Sequence, residues 1–192
     1  MRRRDIIERT LVFIKPDGVK RGLVGEIISR FERAGLKIVG LKMVWLDEEW
    51  ARRHYPDEMA ERIGRKAKAA FEREGKPFPW TPKEYGEAIL FALRRYVTSA
   101  PIVAMVLEGP HAIKIVRKLV GATNPADSPP GTIRGDYSVD SIDYANEQIR
   151  STLNIIHASD SPEAAEREIK EFFKPEELYE YETMYDYLTS GL

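Results

Sequence analysis

The sequence predicts an α+β chain folded as a single domain, and three observations carry that prediction. Short apolar runs of strand length fall at residues 9–15, 36–45, 101–107 and 153–157. Capped amphipathic helices separate them, giving the order strand–helix–strand, helices, strand–helix–strand, helix. A chain of 192 residues is of single-domain length and can bury an ample core.

Residues 9–15 form a continuous β-branched and apolar run, so this strand is expected to be buried, with Lys15 where it emerges and Pro16-Asp17-Gly18 as a turn. Helix 22–34 turns Val24, Ile27, Ile28 and Phe31 inward and stops at Gly35. Strand 36–45 alternates only in part. Asp47 can cap a short helix running to Tyr55, which Pro56 stops. Residues 57–74 are charged, Ala-rich and helical, 75–82 are a proline-punctuated loop, and 84–99 are helical again.

Strand 101–107 reads as buried on both faces, and helix 111–120 follows, ending at Gly121. Residues 122–136 hold three prolines and two glycines among small polar residues, and are expected to be a long shaped loop without helix or strand. Residues 137–150 are polar, with a helical turn or two at 144–150. The tail 174–192 carries Tyr179, Tyr181, Tyr185 and Tyr187, which need a surface on the body or on a neighbouring subunit.

Composition narrows the function. A net charge of −1 provides no general field for nucleic acid, so an anion site has to come from clustered Arg and Lys. The chain has no cysteine, which removes thiolate catalysis, disulfides and cysteine metal sites. No apolar run approaches ~20 residues, so a soluble, cytoplasmic protein without membrane contact is expected. The common phosphate loops G-x-x-x-x-G-K-[ST] and G-x-G-x-x-G are absent, as is H-E-x-x-H.

The chemistry concentrates at residues 153–173. A short strand ends in His157, and Ser161-Pro162 caps and starts a helix over 162–173. Glu168 falls within the apolar stripe of Ala164, Ala165, Ile169, Phe172 and Phe173. A carboxylate on that face needs a partner, and His157 is available. A histidine oriented by a carboxylate is the arrangement of a nucleophile or general base, whereas a lone histidine before a helix is ordinarily a cap or a surface residue. Arg117, Thr123, Asn124 and Arg134, in or beside loop 122–136, supply hydroxyl and forked guanidinium donors suited to phosphate.

Five separate stretches then carry a resemblance: Lys15-Pro16-Asp17-Gly18, Arg21-Gly22-Leu23-Val24-Gly25-Glu26, Asn124-Pro125-Ala126-Asp127-Ser128, Gly131-Thr132-Ile133-Arg134-Gly135-Asp136 and Asn154-Ile155-Ile156-His157-Ala158-Ser159-Asp160-Ser161. In this order the chain resembles nucleoside diphosphate kinases from Glu8 to about Leu178. The resemblance implies a ferredoxin-like antiparallel sheet covered by helices on one side. It implies ping-pong transfer of a terminal phosphoryl group between nucleoside tri- and diphosphates through a phosphohistidine. By motif position it implies His157 as nucleophile, Glu168 as its orienting carboxylate and Ser159 as the hydroxyl bonding that carboxylate. Lys15 and Tyr55 are placed on the transferred group and sugar, Arg117, Thr123 and Arg134 on phosphates, and Asn154 on the ribose. Mg²⁺ is implied on the substrate phosphates, with no metal site of the protein's own. A homo-oligomer, a hexamer, is implied as well.

The chain departs from the family pattern by longer excursions at 56–85 and 139–150 and an extension at 174–192. The base-stacking aromatic of the family aligns with Ile89, and Leu93 falls on the neighbouring base-side position. Either an aliphatic side chain replaces the ring, or Phe78 or Trp80 supplies one from the loop. A non-catalytic nucleotide sensor or scaffold on the same fold is the alternative, and a lost catalytic residue would favour it; none is lost.

Overall fold

The structure, a computed structural model, describes residues 6–189. Four antiparallel strands, β1 (Ile7–Ile14), β2 (Lys37–Val44), β3 (Ile102–Pro110) and β4 (Ile156–Ala158), form one sheet in the order β2-β3-β1-β4. The helices are α1 (Pro16–Lys20), α2 (Val24–Arg33), α3 (Glu48–His54), α4 (Met59–Arg73) and α5 (Pro82–Val97), then α6 (Ala112–Val120), α7 (Ile133–Tyr137), α8 (Ile142–Glu147), α9 (Pro162–Phe172) and α10 (Met184–Thr189). No helix among the described residues is long and apolar enough to cross a membrane.

Helices cover both faces of the sheet rather than one. The apolar run of β1 explains this, because neither face of a central strand without polar alternation can meet water. Val12, Ile14, Met105 and Leu107 pack with Ile27 and Phe31 of α2 and Val116 and Val120 of α6. Leu11, Phe13, Ala104 and Val106 pack on the other face with Trp50 of α3, Val97 of α5 and Phe172 of α9. The register sets Phe13 opposite His157, which holds the histidine on the edge strand beside the end of β1.

Several local expectations are corrected. Pro16-Asp17-Gly18 begins α1 rather than a turn: Pro16 has no N–H to lose at the first helical position, and a Cβ on Gly18 would come within 2.7 Å of Ile14 Cγ2. Loop 122–136 is not free of helix. It contains a 3₁₀ turn at Pro125–Asp127 and opens α7, where the Thr132 hydroxyl accepts from Gly135 N at 3.1 Å and Ile133 is fully buried. The fourth strand keeps only three residues, because Ile155 takes φ = 67° and breaks the extended run before it. The helix expected at 144–150 lies at α8, two residues earlier, capped by Ser141 accepting from Tyr144 N at 3.1 Å.

α4 and α5 form a tight hairpin. A Cβ on Gly64 would lie 1.7 Å from Pro82 O, and one on Gly86 would lie 1.8 Å from Ala60 O, so the two backbones touch where only glycine fits. The excursions at 56–85 and 139–150 meet each other. Tyr85 Oη donates to Asn146 O at 2.7 Å, Lys76 pairs with Glu147, and Ile149 packs with Tyr85 and Phe78. The tail lies on the chain's own body. Tyr179 N donates to Val39 O at 2.8 Å, Tyr181 Oη to Ile38 O at 2.8 Å, and Asp186 pairs with Lys37 at 3.2 Å.

Candidate active site

The site is assembled where three chain segments meet at the ends of β1 and β4. His157 stands on β4 with its ring stacked on Phe13 at 4.6 Å and 16°. Ser161 caps α9 by accepting from Ala164 N, and two turns later Glu168 faces the sheet, buried. Its Oε2 accepts from both His157 Nε2 at 2.8 Å and Ser159 Oγ at 2.7 Å. Burial pushes the Glu168 carboxyl up, but the His157 bond and charge and the Ser159 hydroxyl outweigh it and hold the group below the usual carboxylate range. An ionised carboxylate on Nε2 keeps the proton there and leaves the Nδ1 lone pair free.

Lys15 leaves the end of β1, its backbone N–H held by Ile155 O at 2.7 Å and its Nζ donating to Asn154 Oδ1 at 2.7 Å. Asn154 Nδ2 in turn donates to Thr123 O at 2.9 Å, which ties loop 122–136 to the strand. Burial, with the Arg134 guanidinium adding to it, pulls the Lys15 ammonium down to about 8 against the opposing charge of Asp17. Tyr55, where the chain leaves α3, is pushed up to about 12 by burial and the charge of Glu168, so its hydroxyl is a neutral donor at neutral pH.

Arg134 is almost fully buried and bonds four backbone carbonyls. Nε reaches Asn154 O at 3.1 Å, Nη1 reaches Gly121 O and Ala122 O at 3.1 and 2.9 Å, and Nη2 reaches Ile156 O at 2.6 Å. Of its five N–H groups, one is left for a ligand. The side chain is thus a buckle that sets loop 122–136 against β4, with one N–H remaining for a ligand. Arg117 is half-buried, its side chain makes no hydrogen bond or ion pair among the described residues, and its charge is felt by Arg134.

A cavity of about 380 Å³ opens beside these groups, and six sequence-predicted residues line it: Lys15, Tyr55, Ile89, Leu93, Thr123 and Asn154. His157, Glu168 and Ser159 form the adjoining set, and His54 lies within the electrostatic reach of both Lys15 and His157. Phe78 and Trp80 do not line the cavity. Phe78 packs on Phe71 and Tyr85 at 5.4 and 5.0 Å, and Trp80 packs on Tyr85 at 6.4 Å. Of the two sequence alternatives, the aliphatic wall is the one built: Ile63 of α4, Ile89 and Leu93 of α5, and Ile142 of α8.

Sequence reasoning missed three contributors. Asp17 is a buried carboxylate that accepts from Ile155 N at 3.1 Å and from the Tyr96 hydroxyl, fixing the strained backbone before His157. Phe13 provides the ring under the imidazole. His54 stacks on Trp50 at 4.5 Å and meets His157 edge-on at 5.8 Å. Burial, then His157, pulls its imidazole down to about 4, so it stays neutral beside the reacting ring. The Asp after the proline at a strand end was a readable signal for the first, and the others follow from register and helix packing alone.

A half-buried imidazole held by an ionised carboxylate, next to a cavity rimmed by lysine and arginine, defines a phosphoryl-transfer site on an antiparallel α+β sandwich. The sequence matches the nucleoside diphosphate kinase family over residues 8–71 and 83–178, and the chain belongs to that family. It is 52% identical over 175 residues to the nucleoside diphosphate kinase of Pyrococcus furiosus, covering 91% of this chain and 88% of that one. It is 53% identical over 181 residues to the one from Pyrobaculum aerophilum, covering 91% and 99%. The solved NDP kinase from Pyrobaculum aerophilum superposes with a TM-score of 0.82 at 51% identity, covering 91% of this chain and all of that one. A nucleoside-diphosphate kinase from Borrelia burgdorferi, solved as a transition-state mimic with vanadate and ADP, superposes with a TM-score of 0.78 at 39% identity, covering 95% and 96%. The chain is thus an enzyme of nucleotide phosphotransfer.

Proposed function

We propose that the chain moves the terminal phosphoryl group of a nucleoside triphosphate to a nucleoside diphosphate in two half-reactions through His157. The observation that carries this reading is the Glu168–Nε2 bond, which leaves Nδ1 as the nucleophilic nitrogen. Nδ1 attacks the γ-phosphorus, the bond from phosphorus to the β-bridging oxygen breaks, and the diphosphate departs with that electron pair. Glu168 offsets the positive charge that the ring acquires. A β-phosphate oxygen of the second nucleotide then attacks the phosphoimidazole and returns the ring to its starting form.

Phosphoryl transfer asks the protein for position and positive charge rather than for covalent activation of the phosphate. Lys15 and the remaining N–H of Arg134, with Arg117, supply the charge, and Tyr55 and Asn154 hold the sugar end. Mg²⁺ arriving with the nucleotide would supply further charge neutralisation on the phosphates. The donor set fits a metal that arrives with the substrate: no carboxylate lines the cavity, and the described residues hold no group of three or more His, Asp or Glu suited to an ion.

The exposed side chains Leu41, Met43 and Trp45, at alternate positions along and just beyond edge strand β2, support assembly into a homo-oligomer, for which we propose a hexamer. The non-catalytic reading requires a lost catalytic residue, and His157, Glu168, Lys15, Tyr55, Arg117 and Arg134 are all present. The test is label from γ-³²P-ATP. We expect a phosphoprotein stable in base, labile in acid and discharged by GDP; absence of that species overturns the mechanism.

A further inference from the structure

Helix α3 ends at a carbonyl that its own stretch of backbone does not serve. Tyr55 N donates to Ala51 O at 2.9 Å and closes the helix, and Pro56 follows with no N–H of its own. The next turn bonds run from Met59 N to Pro56 O and from Ala60 N to Asp57 O, both at 3.0 Å, so Tyr55 O is passed over. Tyr55 is half-buried, and a carbonyl left there without a donor is costly. The donor comes from α5. Arg94 Nε donates to Tyr55 O at 3.0 Å, Nη2 donates to the same oxygen, and Nη2 also donates to Asp57 Oδ1 at 2.6 Å.

Arg94 does not border the cavity, but both of the bodies that it joins do. Tyr55 lines the cavity from the end of α3, and Ile89 and Leu93 line it from the same helix as Arg94. A planar guanidinium with two N–H groups on one oxygen fixes direction as well as distance. The arm to Asp57 adds little, since that carboxylate is 79% exposed. The bonds to Tyr55 O instead fix the 55–56 peptide, and with it the direction in which the Tyr55 side chain leaves the backbone. The hydroxyl stands at the far end of a rigid ring, so a small turn of that peptide displaces it most.

We infer that Arg94 is a positioning residue of the phosphotransfer site: it holds the Tyr55 carbonyl so that the Tyr55 hydroxyl stands at its place on the nucleotide, and it ties that hydroxyl to the α5 wall. The inference rests on the nucleotide reading of the cavity given above. Arg94 touches no substrate, so its effect passes through Tyr55, and removing the hydroxyl must remove the effect.

The experiment is a double-variant cycle of Arg94→Met, Tyr55→Phe and the two combined, read on kcat/KM and on ADP affinity by calorimetry. Tyr55→Phe is expected to cost roughly three- to tenfold, the scale of one hydrogen bond. Arg94→Met should cost up to as much and no more. The combined variant should match Tyr55→Phe within about twofold, a coupling that a merely structural arginine would not produce. Arg94→Lys, whose ammonium can still donate to the carbonyl, should recover most of the loss. Asp57→Asn should match the wild type, and so should Arg95→Met, which removes the neighbouring exposed charge. Losses that multiply in the combined variant overturn the inference, as does full activity in Arg94→Met or in Tyr55→Phe. Should Arg94→Met not fold, Arg94→Gln takes its place in the cycle with the same expectation and the same refutation. If the wild type binds ADP but forms no phosphoenzyme, the transfer mechanism fails while the calorimetric cycle still judges Arg94.

Discussion

The end of the site proposed for the phosphates and the end proposed for the base are built in opposite ways. At the phosphate end each group is fixed by buried bonds: Lys15 by Asn154, Asn154 by Thr123, loop 122–136 by the four carbonyls around Arg134, and His157 by Glu168 and Phe13. At the end proposed for the base the walls are aliphatic side chains of α4, α5 and α8. Chemistry at a single phosphorus atom needs reacting groups held within a fraction of an ångström, whereas a flat, variable base needs only a slot. The contrast teaches where changes should be catastrophic and where they should be mild.

The largest effect belongs to His157. His157→Ala removes the imidazole proposed to accept the phosphoryl group; among the described residues, neither His54, stacked on Trp50, nor His111, at the other end of β1, is hydrogen-bonded to a carboxylate. Turnover should fall by at least about four orders of magnitude, the scale of losing a catalytic nucleophile, with the circular-dichroism spectrum unchanged. Phosphoenzyme in this variant would dissolve the contrast at its strongest point. Glu168→Gln comes next: an amide oxygen still accepts from Nε2, but it carries no charge to offset the cationic ring. A fall in kcat on the order of a hundred- to a thousandfold is expected, the range of a single electrostatic contributor. An unchanged kcat would remove Glu168 from the mechanism.

Lys15 sharpens the comparison through pH. Its ammonium is depressed to about 8, so it is charged below that pH and neutral above it. Loss of the charge removes attraction for the incoming phosphate. kcat/KM, which reports the free enzyme, should therefore fall as pH rises past about 8, approaching roughly tenfold per unit. kcat should break at higher pH, because bound phosphate favours the ammonium. A kcat/KM profile flat to pH 10 would show that the Lys15 charge does not govern encounter.

The two ends were also unequally legible in the sequence. Glu168 could be placed because helical periodicity put a carboxylate on a buried face, and His157 and Lys15 because strand ends with turn and cap residues mark them. Those are local signals. Arg134 was read as a phosphate fork because guanidinium in a polar loop looks the same whether its partners are phosphate oxygens or backbone carbonyls; only the path of residues 121–122 and 154–156 around it decides. The base end depends on how α4 meets α5 through Gly64 and Gly86 and how α8 meets Tyr85, contacts between segments distant in sequence. Similarly, no local pattern announces the positive φ of Ile155, which Asp17 and Tyr96 stabilise from elsewhere in the chain.

The smallest expected effect is discrimination among bases, and it follows from the aliphatic walls. Strong selection needs buried donors and acceptors matched to a base edge, because a mismatched partner then leaves a polar group unpaired. Ile63, Ile89, Leu93 and Ile142 offer none, and apolar contact tolerates every base face. Asn146 is one of the polar residues beside them: its backbone carbonyl is taken by Tyr85, and its side chain makes no hydrogen bond among the described residues. One solvated amide can adjust to more than one edge, so kcat/KM for ADP, GDP, CDP and UDP should agree within roughly 1–3 kcal/mol, the range of apolar recognition. Asn146→Ala should narrow that spread further. A preference of a thousandfold or more, about 4 kcal/mol, abolished by Asn146→Ala, would mean that the base end is as exactingly built as the phosphate end and would end the distinction between them.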